Sequence, residues 1–194
     1  MIMKTLVKLL FFAFCTAFIV TCSKSDQFTE ELNDENLKSA TVQVTVPFYT
    51  EFDATYESVE YDEGYCGPER PLRVIANGSG TATHLGKFTI HFDFCCEDVG
   101  PGFNYPGIPV GAFIAANGDE LIVSTWGEVG PPDENDPPNI TERWEAPFIF
   151  LGGTGRFEGA TGGGIFSAYN YIENDVALSH GKWKGELTLI KGKK

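Results

Sequence analysis

From Thr41 onward the chain alternates apolar and polar residues with a period of two. In "VQVTVPFY", Val42, Val44, Val46 and Phe48 share one face. In "FTIHFDF", Phe88, Ile90, Phe92 and Phe94 fall together, with Thr89, His91 and Asp93 opposite. "RWEAPFIFL" aligns Trp144, Ala146, Phe148 and Phe150, and "HGKWKGELTLI" aligns Trp183, Leu187 and Leu189. "ELIVSTW" and "GIFSAYNYI" add two further β-rich runs. Alternation of this kind, rich in aromatic and β-branched residues and broken by turn residues, predicts strands buried on one face. Asn77-Gly78 and Asn117-Gly118 are hairpin signals, the second set between two apolar runs in "AANGDEL". No amphipathic helix of useful length is present. The pattern therefore predicts one all-β domain over residues 41–194. About eight strands in such a length form a sandwich or a closed barrel.

The stretch "LGGTGRFEGATGGG" (151–164) carries seven glycines around Arg156. A phosphate-gripping Walker loop requires G-x-x-x-x-G-K-[ST], which is missing. A dinucleotide fingerprint requires glycines at i, i+2 and i+5. From Gly153 the third position is Glu158, and from Gly162 it is Ser167. The following segment, "IFSAYNYI", reads as a strand, so no helix N-terminus is available to an anion. Glycines on both sides of Phe157 instead suit tight bends and close backbone packing. The segment reads as a sheet corner, in which Arg156 caps carbonyls or pairs with an acid.

"GGTGRFEGATG" (152–162), followed by an alternating strand and then by "HGKWKGELTL", resembles the closing segment of the allene oxide cyclase barrel-like and dirigent-like families. "GSGTATHLGKFT" (78–89) resembles a segment of secreted bacterial relatives of that group. The resemblance spans about residues 72–190, with its specific motifs in those two segments. It implies an eight-stranded antiparallel closed β-barrel and a lumen that, in the plant members, acts on apolar or phenolic substrates. No catalytic position of those families maps onto a residue of this chain.

The N-terminus carries different information. Lys4 and Lys8 precede an apolar run from Leu9 to Val20, and no acid occurs before Asp26. This is the layout of an export signal over residues 1–21, and the run is too short and too closely bounded by Lys8 for a permanent span. Ile19-Val20-Thr21-Cys22 resembles a lipobox, with Thr21 where Gly, Ala or Ser is preferred, and makes Cys22 the expected lipidation site. Acyl chains there would hold the protein on a bilayer, since each buried methylene adds roughly 0.8 kcal/mol. Residues 22–40 are polar and acidic, the composition of a flexible tether, and span about 23 Å on average. The expected location is the bacterial cell envelope, lipid-anchored, in the periplasm or on the surface. Removal of residues 1–21 leaves 12 basic residues against 27 acidic ones. Such a surface repels nucleic acid and anionic headgroups.

With Cys22 lipidated, three cysteines remain, Cys66, Cys95 and Cys96. In an oxidising compartment a disulfide from Cys66 to either Cys95 or Cys96 is expected, leaving one thiol over. Glu97 and Asp98 beside the pair oppose thiolate formation, so the cysteines read as structural. The two cysteine-flanked loops, "CGPERP" and "CCEDVGPGFNYPGIP", fit a bridge between them. A third loop, "GPPDENDPPN" (130–139), offers Asp133, Glu134 and Asp136 but lacks the calcium-loop spacing, and reads as rigid and solvated. His84, His91 and His180 show no zinc-ligand spacing. His84 is expected to pin a neighbouring segment. His91 and Asp93 share a strand face, but the opposite aromatic face has the stronger claim to the interior. No G-x-S-x-G elbow is present.

These readings converge on a tethered envelope barrel without catalytic residues, cofactor or metal. Its lumen would bind an apolar or aromatic small molecule or meet another envelope component. Candidate pocket residues are His84, Phe88, Phe92, Phe148 and Trp183. A lumen isomerase or cyclase, a solidly packed interaction module and, less in keeping with the polar tether, a transmembrane barrel are the alternatives.

Overall fold

The computed structural model describes residues 42–99, 103–105 and 109–192. The expected export signal, the Cys22 anchor and the tether of residues 22–40 lie outside the described residues. The elements follow as β1 (Gln43–Tyr61), a one-turn helix α1 (Glu63–Cys66), β2 (Leu72–Ala82), β3 (Gly86–Asp98), β4 (Phe103–Tyr105), β5 (Pro109–Ala115), β6 (Glu120–Thr125), β7 (Gly127–Val129), β8 (Ile140–Gly153), β9 (Thr161–Glu173) and β10 (Val176–Ile190). Eight of these strands pair antiparallel in the order β2-β1-β10-β9-β8-β6-β5-β3, and β3 returns to β2 from Leu72↔Cys96 to Ala82↔Gly86. The sheet therefore closes into the expected eight-stranded barrel, which abolishes free edges. The short strands β4 and β7 pair with each other and extend the end of β3.

The alternation read from the sequence is the inside–outside pattern of the wall. Phe48, Phe52, Phe88, Ile90, Ala146, Phe148, Phe150, Trp183 and Leu187 are all buried. The barrel has two unlike ends. The base carries the β2–β3 turn (83–85), the β5–β6 turn (116–119) and the glycine-rich β8–β9 connection. At the other end, the mouth, lie the three proline-bearing connections and the tight Asn174-Asp175 turn, both of whose residues take positive φ.

The 151–164 stretch is indeed a corner. A 3₁₀ turn, Gly155–Phe157, drives the Phe157 ring into the base, where it is fully buried. Past it, the glycines of β9 let three strands approach closely: a Cβ on Gly164 would lie 2.1 Å from the Lys184 carbonyl oxygen of β10. Arg156 pairs with Asp119 at 3.6 Å and donates to the Leu85 carbonyl, tying the corner to two base turns. Asn117-Gly118 forms its hairpin turn, with Gly118 at φ +88°. Asn77-Gly78 does not. It lies in the middle of β2, where a Cβ on Gly78 would meet the Asp53 carbonyl oxygen at 2.3 Å. That glycine serves close strand approach rather than a turn.

Candidate functional site

The upper half of the lumen is a cavity of about 60 Å³. Its floor is Trp183, stacked on Phe166 with ring centroids 4.6 Å apart and packed from below against Phe148 and Phe113. Its walls are Phe52 and Tyr56 of β1, Phe92 and Phe94 of β3, and Trp144 of β8. Tyr105 of β4 and Val129 of β7, carried over the lumen by the mouth connections, complete it. None of the fourteen lining residues bears a charged side chain.

The polar atoms here are few and neutral. The Tyr56 hydroxyl donates to Asn170 Oδ1 at 2.9 Å, and Asn170 Nδ2 donates to Glu142 Oε2 at 2.5 Å. Burial pushes the Tyr56 phenol up to about 12, and burial likewise raises that of Tyr105. Both therefore stay protonated at neutral pH and act as hydrogen-bond donors rather than bases. Burial also pushes the Cys96 thiol up to about 12, which removes it as a nucleophile. Two atoms stand apart. Tyr105 is 6 % exposed and Trp183 1 % exposed. The Trp183 Nε1 has no hydrogen-bond partner among the described residues, and the Tyr105 hydroxyl makes no well-formed bond, having only the Thr125 hydroxyl beside it. Thr125, beside Tyr105, donates to the Pro147 carbonyl at 2.8 Å, which leaves its oxygen as an acceptor facing the Tyr105 hydroxyl.

The mouth is braced from outside. Cys66 of α1 is bonded to Cys95 of β3, while Cys96, one residue on and facing inward, is the buried free thiol. Arg73 makes a bidentate pair with Asp93, reaches Asp62 at 3.7 Å, and lies 3.8 Å from the Tyr65 ring centroid. Across the mouth, Arg143 binds Asp136 through two nitrogens and fastens the 130–139 loop to β8. These arginines hold Asp93 and Asp136 below the usual carboxylate range. Of the three carboxylates considered as calcium ligands, Asp136 and, at 3.7 Å, Asp133 are thus engaged with the Arg143 guanidinium.

Of the candidate pocket residues, Phe92 and Trp183 line the cavity, while Phe88 and Phe148 lie in the packed layer beneath it. His84 corrects its expectation: it sits exposed on the β2–β3 turn at the base, in the left-handed region at φ +66°. The motif around it shapes a hairpin, remote from the cavity. His91 and Asp93 face outward, His91 bonding Asn77 at 2.7 Å. Tyr56, Tyr105, Asn170 and Ser179 were missed. Three of them stand at inward positions of alternating strands, where a polar residue is itself a signal; Tyr105 lies in a proline loop without periodicity.

No family profile matches the chain, and no curated protein matches it. Among solved structures it is similar to a pterocarpan synthase dirigent protein, at 14 % identity over 78 % of this chain and 88 % of that one, with a TM-score of 0.43. It is also similar to a conserved protein of unknown function from Rhodopseudomonas palustris, at 11 % identity over 74 % of this chain and 98 % of that one, again with a TM-score of 0.43. The barrel itself rests on the strand pairing rather than on these likenesses.

Proposed function

We propose that this protein is a non-catalytic, lipid-anchored envelope protein whose barrel mouth binds one small apolar or aromatic molecule. The observation that carries the reading is the half-filled lumen: an aromatic cavity, free of charged side chains, above a solidly packed base. Binding sites for small molecules combine such apolar walls with a few polar groups. No lining side chain is a base at neutral pH, so binding is better supported than an isomerase or cyclase. A filled interaction module would not keep the cavity. The resemblance of the motifs at 78–89 and 152–162 to the allene oxide cyclase barrel-like and dirigent-like families supports reading the chain as their bacterial relative, and the lipobox-like Ile19-Val20-Thr21-Cys22 supports the lipid anchor.

Trp144 and Trp183 line the cavity, whereas Trp126 is exposed outside it. Intrinsic fluorescence should therefore respond saturably to small aromatic compounds, and a Trp126→Phe variant should keep the response. A panel of single-ring and two-ring compounds without effect on either protein would remove the reading. The anchor at Cys22 is tested separately: radioactive palmitate should label the protein in cells, and label retained by Cys22→Ala would refute lipidation.

A further inference from the structure

Among the described residues, the cavity's two buried hydrogen-bonding atoms without a well-formed hydrogen bond are the Trp183 indole nitrogen, which has no partner, and the Tyr105 hydroxyl, which has only the Thr125 hydroxyl beside it. Buried polar groups are almost always paired, because leaving one unpaired forfeits its solvation. Both side chains line the same cavity, one as its floor and one at its mouth. They come from β10 and β4, which are not neighbours in the sheet, so the coincidence is not a local backbone effect. Indole N–H is a donor only. The Tyr105 phenol is protonated, since burial raises it, and so offers a donor as well. Of the other polar side chains that line it, Tyr56 donates to Asn170, Thr125 donates to the Pro147 carbonyl, and Ser179 stands beside the Tyr56 hydroxyl.

Resting on the pocket reading above, we propose that the site is specific for a neutral aromatic carbonyl compound. One ring would enter between Phe92, Trp144 and Phe166, and the oxygen would accept from Trp183 Nε1, Tyr105 or both. A carboxylate would meet no cation here and would lie close to Glu142. A hydrocarbon of the same shape would leave both donors unpaired. The cavity volume of about 60 Å³ favours a single ring, because an enclosed space near 150 Å³ is what holds benzene entirely; a ring here would stay partly in the mouth.

The test uses acetophenone and isopropylbenzene, which differ in a carbonyl oxygen against a methyl group, with benzoate as a third probe. Affinities are read by fluorescence and by chemical-shift titration on wild type, Tyr105→Phe and Trp183→Phe, with Trp144 as reporter in the last. Wild type should bind acetophenone about tenfold more tightly than isopropylbenzene. That preference should fall at least threefold in one of the variants, and benzoate should bind most weakly. Trp183→Phe retains a ring in the floor; should it fail to fold, Tyr105→Phe and the wild-type preference still decide. Equal affinity of wild type for the two neutral probes would overturn the proposal while leaving an apolar pocket. So would a preference undiminished in every folded variant, or tight benzoate binding. Binding of none of the three would overturn the pocket reading and this proposal together.

Discussion

The two ends of this barrel are built from the same alternating strands and the same aromatic residues, yet one is filled and the other is not. At the base, short turns and a glycine corner bring Phe157 inside, into the same buried cluster as Phe48, Phe148 and Phe150, which pack edge to face, and Phe113, which is tilted against Phe48. At the mouth, the proline-bearing connections 62–71 and 130–139 are fastened to the outside of the wall by the Cys66–Cys95 disulfide, Arg73–Asp62 and Arg143–Asp136. Among the described residues, Tyr105 and Val129 roof the lumen. What closes the end, rather than what lines the wall, therefore decides whether the interior is core or pocket. Where the chain turns tightly, side chains meet and exclude space. Where the loops are held outward, a neutral cavity persists at a cost in unpaired polar groups.

The sharpest way to break this contrast is to truncate one ring at each end. Phe157→Ala should cost about 3–5 kcal/mol, because the fully packed base cannot collapse around the void. Phe92→Ala, half-buried beside space that already exists, should cost about 1–2 kcal/mol, chiefly its lost apolar area. Urea denaturation measures both. Equal losses would mean that the base is as loosely packed as the mouth.

Next in size is the disulfide. Cys66 and Cys95 are 29 residues apart, and opening a loop of that length by the Cys66→Ser/Cys95→Ser change should cost about 3–4 kcal/mol at most, through the unfolded chain. Hydrogen exchange should locate the structural effect at residues 62–71 and the end of β3. Early exchange at the base turns instead would remove the asymmetry argued above.

Much of this contrast was legible beforehand. Phe88, Ile90, Phe92 and Phe94 announce an inward face because the pleat repeats every two residues, and Phe157 between glycines announces a corner. Cys66 and Cys95 flank loops that proved to share one end. Asn77-Gly78 misled because a glycine needed for positive φ and one needed for close strand approach look alike in sequence; only the register with Asp53 separates them. Tyr105 was invisible for a different reason. Its place is set by a local pairing of β4 with the end of β3 and by a more distant one with β7, where Gly127 stands opposite it, and no local period marks it. His84 drew notice by its motif, but its left-handed backbone belongs to a turn.

A smaller effect distinguishes the ends by acid. Arg73 and Arg143 lower Asp93 and Asp136, so near pH 4 the folded protein holds fewer protons on these groups than the unfolded chain does. Their contribution is complete above about pH 4 and fades as pH falls through the lowered native values. Both pairs brace the mouth. Exchange at residues 62–71 and 130–139 should therefore accelerate before that of β9 and β10 as pH is lowered from about 5 to about 2.5. Asp93→Asn and Asp136→Asn together should flatten the difference. A uniform acid response across both ends would refute the bracing role.

The smallest expected change is the most discriminating. Removing a buried tyrosine hydroxyl ordinarily destabilises a protein by about 1 kcal/mol, because its hydrogen-bond partner is lost with it. Tyr105 is buried but its hydroxyl makes no well-formed hydrogen bond among the described residues, having only the Thr125 hydroxyl beside it, so Tyr105→Phe should leave stability unchanged or raise it by up to about 1 kcal/mol. Tyr56→Phe is the matched control: its hydroxyl donates to Asn170, and its loss should cost about 1 kcal/mol in the same denaturation experiment. If Tyr105→Phe proved as costly as Tyr56→Phe, the hydroxyl would have to be satisfied within the protein. The mouth would then be a second core with gaps. The opposite result, a variant at least as stable as wild type but poorer at telling a ketone from a hydrocarbon, would identify a group kept at the expense of folding for the sake of what the cavity holds.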